Sequence, residues 1–103
     1  MRTKCKGKST VFFADPPRII SGGTIVGDVE AKGPLGSYFD IALEDDTWGE
    51  GTWEKAERKM FEHAVRTALE KGGLTPMQVD ILLGGDLLNQ IISANFAARE
   101  LEI

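Results

Sequence analysis

The sequence predicts an α/β domain built on a parallel sheet, and three features of its pattern carry that expectation. Residues 10–27, TVFFADPPRIISGGTIVG, break into short β-rich pieces between turn residues. From Trp53 the apolar period changes to that of a helix. A nearly unbroken apolar run, Val79 to Leu83, then precedes a second helical pattern ending at Leu101. Strands, helix, strand, helix is the order of a βαβ layered fold, in which each crossover helix covers the sheet it leaves.

In chain order, residues 1–9 read as a basic arm with Arg2, Lys4, Lys6 and Lys8 on alternate positions. Three strands follow at Val11 to Phe13, Arg18 to Ile20 and Thr24 to Val26, separated by Asp15-Pro16-Pro17 and Ser21-Gly22-Gly23. Residues 27–52 are rich in glycine and hold the acidic stretch LEDDTWGEGT, so they read as a long loop with one short helical turn near Tyr38-Phe39. Loops of that length inside a compact domain are commonly functional. Trp53, Ala56, Met60, Phe61, Ala64, Val65, Ala68 and Leu69 then fall on one face of a helix, with charges between them. Thr52 suits its N-cap, Glu54 its positive start, and Lys71-Gly72-Gly73 its basic last turn and left-handed end.

Thr75-Pro76-Met77-Gln78 carries the cap, the proline and the Gln of a short helical turn. Val79 to Leu83 reads as a strand covered on both faces. The last helix runs from about Gln90 to Leu101, with Ile91, Ala94, Ala98 and Leu101 on one side and Phe96 beside them. A doubly covered strand needs neighbours on each side, more than this pattern supplies. Residues 1–103 are therefore expected to form part of a larger domain or to be completed by a partner.

A chain of 103 residues can bury one modest core. Its net charge of −4 repels phosphate backbones, and the basic arm has neither interleaved aromatics nor a groove-reading motif, so no nucleic-acid partner is expected. The arm suits a solvated terminus, or less well an anionic surface such as lipid headgroups. No purely apolar run approaches the ~20 residues that span a bilayer, so neither a transmembrane segment nor a signal peptide is expected. A single cysteine excludes an intramolecular disulfide and makes the cytosol the default compartment.

Few residues offer chemistry. Cys5 lies in the arm, ahead of the first strand. His63 has no second histidine or cysteine at ligand spacing, so it reads as a helix-flank residue. Glu44, Asp45, Asp46 and Glu50 lack the alternation of a calcium loop and read as solvated. Gly22, Gly23 and Gly27 fit no phosphate or dinucleotide fingerprint and are explained by turns. Asp86 and Asn89 are the best ligand-binding candidates, because they follow the apolar run at the carboxyl end where open α/β sheets place ligands. Their structural alternative is a helix cap or loop staple. No catalytic residue, metal ligand or cofactor is expected within these residues.

The segment AVRTALEKGGLTPMQVDILLGGD at 64–86, followed by ANFAARELEI at 94–103, resembles the N-terminal part of thiolase-fold proteins. With GPLGSYFD at 33–40, WEKAERKM at 53–60 and GDLLNQ at 85–90, the likeness narrows to the stage V sporulation protein AD family and runs over nearly all of residues 8–103. The resemblance implies the N-terminal part of a thiolase-like αβαβα layered fold that binds dipicolinic acid, as the free acid or its calcium salt, and supports its uptake into the developing spore. It also implies a homodimer, contact with other spore membrane proteins, and a location in the cytoplasm or peripheral to the spore inner membrane. In thiolase-like enzymes the reactive cysteine would follow shortly after Ile103. An acyl-transfer enzyme with its nucleophile beyond these residues is thus the competing reading, and a ligand-free assembly module is a third.

Overall fold

The computed structural model describes residues 5–85, 87–88 and 92–103. Strand β1 (Cys5–Lys6) pairs antiparallel with β2 (Thr10–Val11), and β3 (Ile25–Val26) leads through α1 (Asp28–Ala31) and a 3-10 turn (Gly36–Tyr38) to β4 (Ile41–Ala42). Then come the 20-residue helix α2 (Trp53–Gly72), a second 3-10 turn (Pro76–Gln78) and α3 (Ile92–Leu101). β3 and β4 are parallel neighbours, in register Ile25 to Ile41 and Val26 to Ala42. Helices with a small parallel sheet make the fold α/β.

The helix ends are where the residues place them. Thr52 is extended, and its Oγ1 accepts the Lys55 N–H at 3.2 Å, while Gly73 closes α2 at φ 68°. That left-handed conformation costs glycine nothing. Gln78 Oε1 accepts the Thr75 N–H at 2.8 Å, completing the short turn ahead of Val79. On α3 the buried positions are Ser93, Ala97 and Leu101, four residues apart. This stripe of small side chains packs against α2, where Ala56 is also buried and the Ser93 hydroxyl donates to the Glu54 carbonyl at 3.4 Å. Of the expected face, Leu101 is buried, Ala94 and Ala98 are half-buried one residue past the buried Ser93 and Ala97, and Ile91 lies outside the described residues.

β3 is docked on α2 by close backbone approach. Ser21 Oγ donates to the Ala68 carbonyl at 2.6 Å, and a Cβ on Gly23 would collide with the Ala64 carbonyl oxygen and lie 2.7 Å from the Ala68 nitrogen. Gly23 is thus needed for proximity to the helix, a different reason from the turn expected of it.

Other expectations are corrected. The first strand is β1, not Val11 to Phe13, so Cys5 lies within a strand instead of ahead of it. Arg18 to Ile20 forms no strand, and Ile19 and Ile20 are exposed. The supposed loop at 27–52 contains α1 and β4, because Ile41 and Ala42 find a ladder partner in β3. Val79 to Leu83 is not a strand: no ladder partner lies beside it among the described residues, and Ile81 and Leu83 are 74% and 89% exposed. An apolar run sets what a strand prefers to cover, but its hydrogen bonds need a neighbour.

One ion pair ties the sheet to the end of α2. Thr24 N–H and Oγ1–H donate to Asp40 Oδ2 at 2.9 and 3.0 Å, Asp40 N–H donates back to Thr24 Oγ1 at 3.0 Å, and Lys71 Nζ reaches Asp40 Oδ1. The Lys71 ammonium, followed by the Thr24 backbone N–H, holds the Asp40 carboxyl below its ordinary value of 3.8. A carboxyl depressed by folding binds protons more readily in the unfolded chain, so its contribution is complete above 3.8 and is lost as pH falls through the depressed value. Asp40→Asn is therefore expected to lower the melting temperature at pH 7 and to leave a shallower loss of stability below pH ~4. Melts from pH 7 to 2 check this, and parallel curves for the two proteins would contradict it.

Candidate functional site

The segment after Val79–Leu83 meets α2 at Gly84 and Leu87. Gly84 lies against the Phe61 ring, where a Cβ would collide with Cζ and come within 2.8 Å of Cε2. One helical turn earlier, Glu57 Oε2 accepts the Leu87 N–H at 3.1 Å. Glu57 Oε1 is buried with no hydrogen-bond partner among the described residues. Beside this segment opens a groove of about 550 Å³ whose apolar walls come from Ile25, Trp53, Met60, Phe61, Ala64 and Leu88. Its two polar residues are the carboxylates Glu57 and Asp46. Apolar walls with few polar groups are shared with small-molecule sites, although this groove is open to solvent along one side.

Asp86 and Asn89, the ligand-binding candidates, lie outside the described residues. Their described neighbours Gly85, Leu87 and Leu88 are exposed, with Leu88 on the rim of the groove. Sequence reasoning missed Glu57, although a signal was present. Trp53, Glu57, Met60, Phe61 and Ala64 share one helical register, so a carboxylate interrupts an otherwise apolar stripe.

The acidic loop serves its own geometry. Asp45 Oδ1 accepts the N–H groups of Thr47 at 2.9 Å and Trp48 at 2.6 Å, and these bonds, that from Thr47 first, hold the Asp45 carboxyl below its usual value. Trp48 is in the left-handed region at φ 47°, a conformation rare outside glycine. Lys59 secures it by donating to the Trp48 carbonyl at 3.1 Å and by placing its ammonium 4.5 Å from the indole centroid. Glu50 pairs with the same ammonium at 3.8 Å. His63 meets the Trp48 indole edge-on, centroids 4.7 Å apart. Glu44, Asp45, Asp46 and Glu50 therefore do not converge, and no group of three or more metal-ligating side chains occurs among the described residues. A Cβ at Gly22 or Gly27 would meet nothing within 4 Å, and Gly27 caps α1, its carbonyl accepting the Ala31 N–H at 3.0 Å. No helix among the described residues is long and apolar enough to cross a membrane.

Fold and groove together define an α/β protein with Gly84 and Leu87 held against a helix beside an open apolar groove. The family model of stage V sporulation protein AD matches residues 7–103. The chain belongs to that family. Stage V sporulation protein AD of Bacillus subtilis (strain 168) is 46% identical over 100 residues, which cover 97% of this chain and 30% of that relative. The chain thus spans less than a third of the length of the curated protein it matches.

Proposed function

We propose that this chain is the N-terminal part of a sporulation protein that binds dipicolinic acid and supports its uptake into the developing spore, on a non-catalytic, thiolase-like layered scaffold. The observation that carries the reading is the family match over residues 7–103. The groove beside Leu88 supports it as a place for a small aromatic acid, with Asn89 as a donor to a carboxylate or the pyridine nitrogen. Asp86 contributes by accepting backbone N–H groups or by facing a cation, since its free charge would repel a dianion. Calorimetry of a chain of full family length tests the reading with three titrants: dipicolinate, its calcium salt and a short acyl-CoA. Heat with acyl-CoA alone would transfer the reading to an acyl-transfer enzyme.

Asn89→Ala is expected to weaken dipicolinate binding more than Asn95→Ala, whose residue is exposed on α3. Loss of one hydrogen bond to an ionised carboxylate costs roughly 1.5–3 kcal/mol. A residue that only capped the helix would instead cost about 1 kcal/mol of stability with affinity intact. Titrations and melts of both variants separate the two, and equal affinities would remove Asn89 from the site.

A further inference from the structure

We propose that Glu57 is a positioning residue for ligand binding: it pins the Leu87 backbone to α2, and it is kept for that task at a cost to stability. The inference rests on reading Leu87 as adjoining the dipicolinate site.

The first half of the argument is geometric. Gly84 and Gly85 have the greatest backbone freedom that any two residues allow. Gly84 packs on the Phe61 ring, and the Leu87 N–H donates to Glu57 Oε2 at 3.1 Å. Both partners stand on α2 one turn apart, so the same helix holds Gly84 and Leu87. A backbone position ordered before binding does not have to be ordered by the ligand, and affinity rises accordingly.

The second half is energetic. Glu57 occupies a place in the apolar stripe beside Trp53, Met60 and Phe61, and its Oε1 is buried without a donor among the described residues. A buried acceptor left unpaired is a net loss, greater for a charged group than for a neutral one. Leu87 is exposed, so water can satisfy its N–H if Glu57 is absent. A methionine of similar length would therefore suit the free protein at least as well as the glutamate. What methionine cannot do is hold the Leu87 N–H. Stability and binding are thus predicted to move in opposite directions, a separation that a merely structural glutamate would not produce.

The test compares Glu57→Met and Glu57→Gln in a chain of full family length. It uses dipicolinate titration, ligand-free melts and hydrogen exchange at the Leu87 amide. For Glu57→Met the expected result is an unchanged or higher melting temperature, faster Leu87 exchange and an affinity lower by about tenfold or more, or ~1.4 kcal/mol. Glu57→Gln retains an acceptor for the Leu87 N–H and is expected to restore both protection and affinity to within about threefold of wild type, ~0.7 kcal/mol. Binding by Glu57→Met at wild-type strength overturns the proposal. So does a lowered melting temperature in Glu57→Met that Glu57→Gln fails to rescue. If the wild-type protein itself takes no dipicolinate, the functional reading fails separately; unchanged Leu87 exchange in Glu57→Met would then overturn the pinning itself.

Discussion

The 103-residue chain on its own is expected to self-associate and to melt without a single cooperative transition. Among its described apolar side chains only Leu43, Ala56, Ala97 and Leu101 are fully buried, whereas Ile81, Leu83 and Leu87 are 74%, 89% and 97% exposed. Ordering a residue costs roughly 1–2 kcal/mol of backbone entropy, and burial returns about 25 cal/mol per Å² of apolar surface. Half-buried side chains such as Met60, Phe61, Val65 and Leu69 add to these four, but so few fully buried groups leave little to offset the ordering of a domain. Val79–Leu83, without a ladder partner among the described residues, adds the exposed apolar side chains of Ile81 and Leu83, surface of the kind that recruits other chains. Sedimentation equilibrium and calorimetry check this expectation. A monodisperse monomer whose calorimetric and van't Hoff enthalpies agree would contradict it.

Gly23→Ala should be among the most damaging single changes, at about 3 kcal/mol or more in a chain of full family length. The new methyl group would meet the Ala64 carbonyl oxygen and, at 2.7 Å, the Ala68 nitrogen, both atoms of the α2 backbone. Neither can rotate away as a side chain would. Relief requires lifting β3 from the helix, which also breaks the 2.6 Å bond from Ser21 to the Ala68 carbonyl. Gly22→Ala is the control, because nothing lies within 4 Å of its added methyl. It should change stability by no more than about 0.5 kcal/mol. Denaturant midpoints of the two variants measure the difference, and a Gly23→Ala protein as stable as Gly22→Ala would show that β3 does not sit against α2.

The helices were legible because their signals are local. Thr52, the apolar positions of α2 and Gly73 each specify part of a helix whose hydrogen bonds close within the segment. The strands were less so, since a strand exists only where a distant partner completes its ladder. Ile41-Ala42, hidden in a glycine-rich stretch, has such a partner in Ile25-Val26, while the more apolar Val79–Leu83 has none among the described residues. The same division runs through the site. Position after an apolar run pointed to Asp86 and Asn89, but the bond from Leu87 to Glu57 joins residues 30 apart, and the carboxylate in the apolar stripe of α2 marks Glu57 without naming its partner. Trp48 with Lys59 and His63 was equally silent: a charge run gives no sign that a lysine on the next helix will hold an indole in a left-handed bend.

The parallel β3–β4 pair bears on the order in which the molecule assembles. Parallel strands need a crossover of about a dozen residues or more, and this one is close to that minimum, with the Thr24–Asp40 clasp joining residues only 16 apart. Loop-closure entropy grows with the logarithm of loop length, so this is an inexpensive non-local contact for the chain to make. Lys71 then reaches back to Asp40, and Ser21 to Ala68, tying the end of α2 to the same clasp. Everything these contacts require lies between Ser21 and Lys71. A nascent polypeptide can therefore satisfy them before the ribosome has delivered Gly84 and Leu87, leaving the braced helix as a platform already set when those residues emerge.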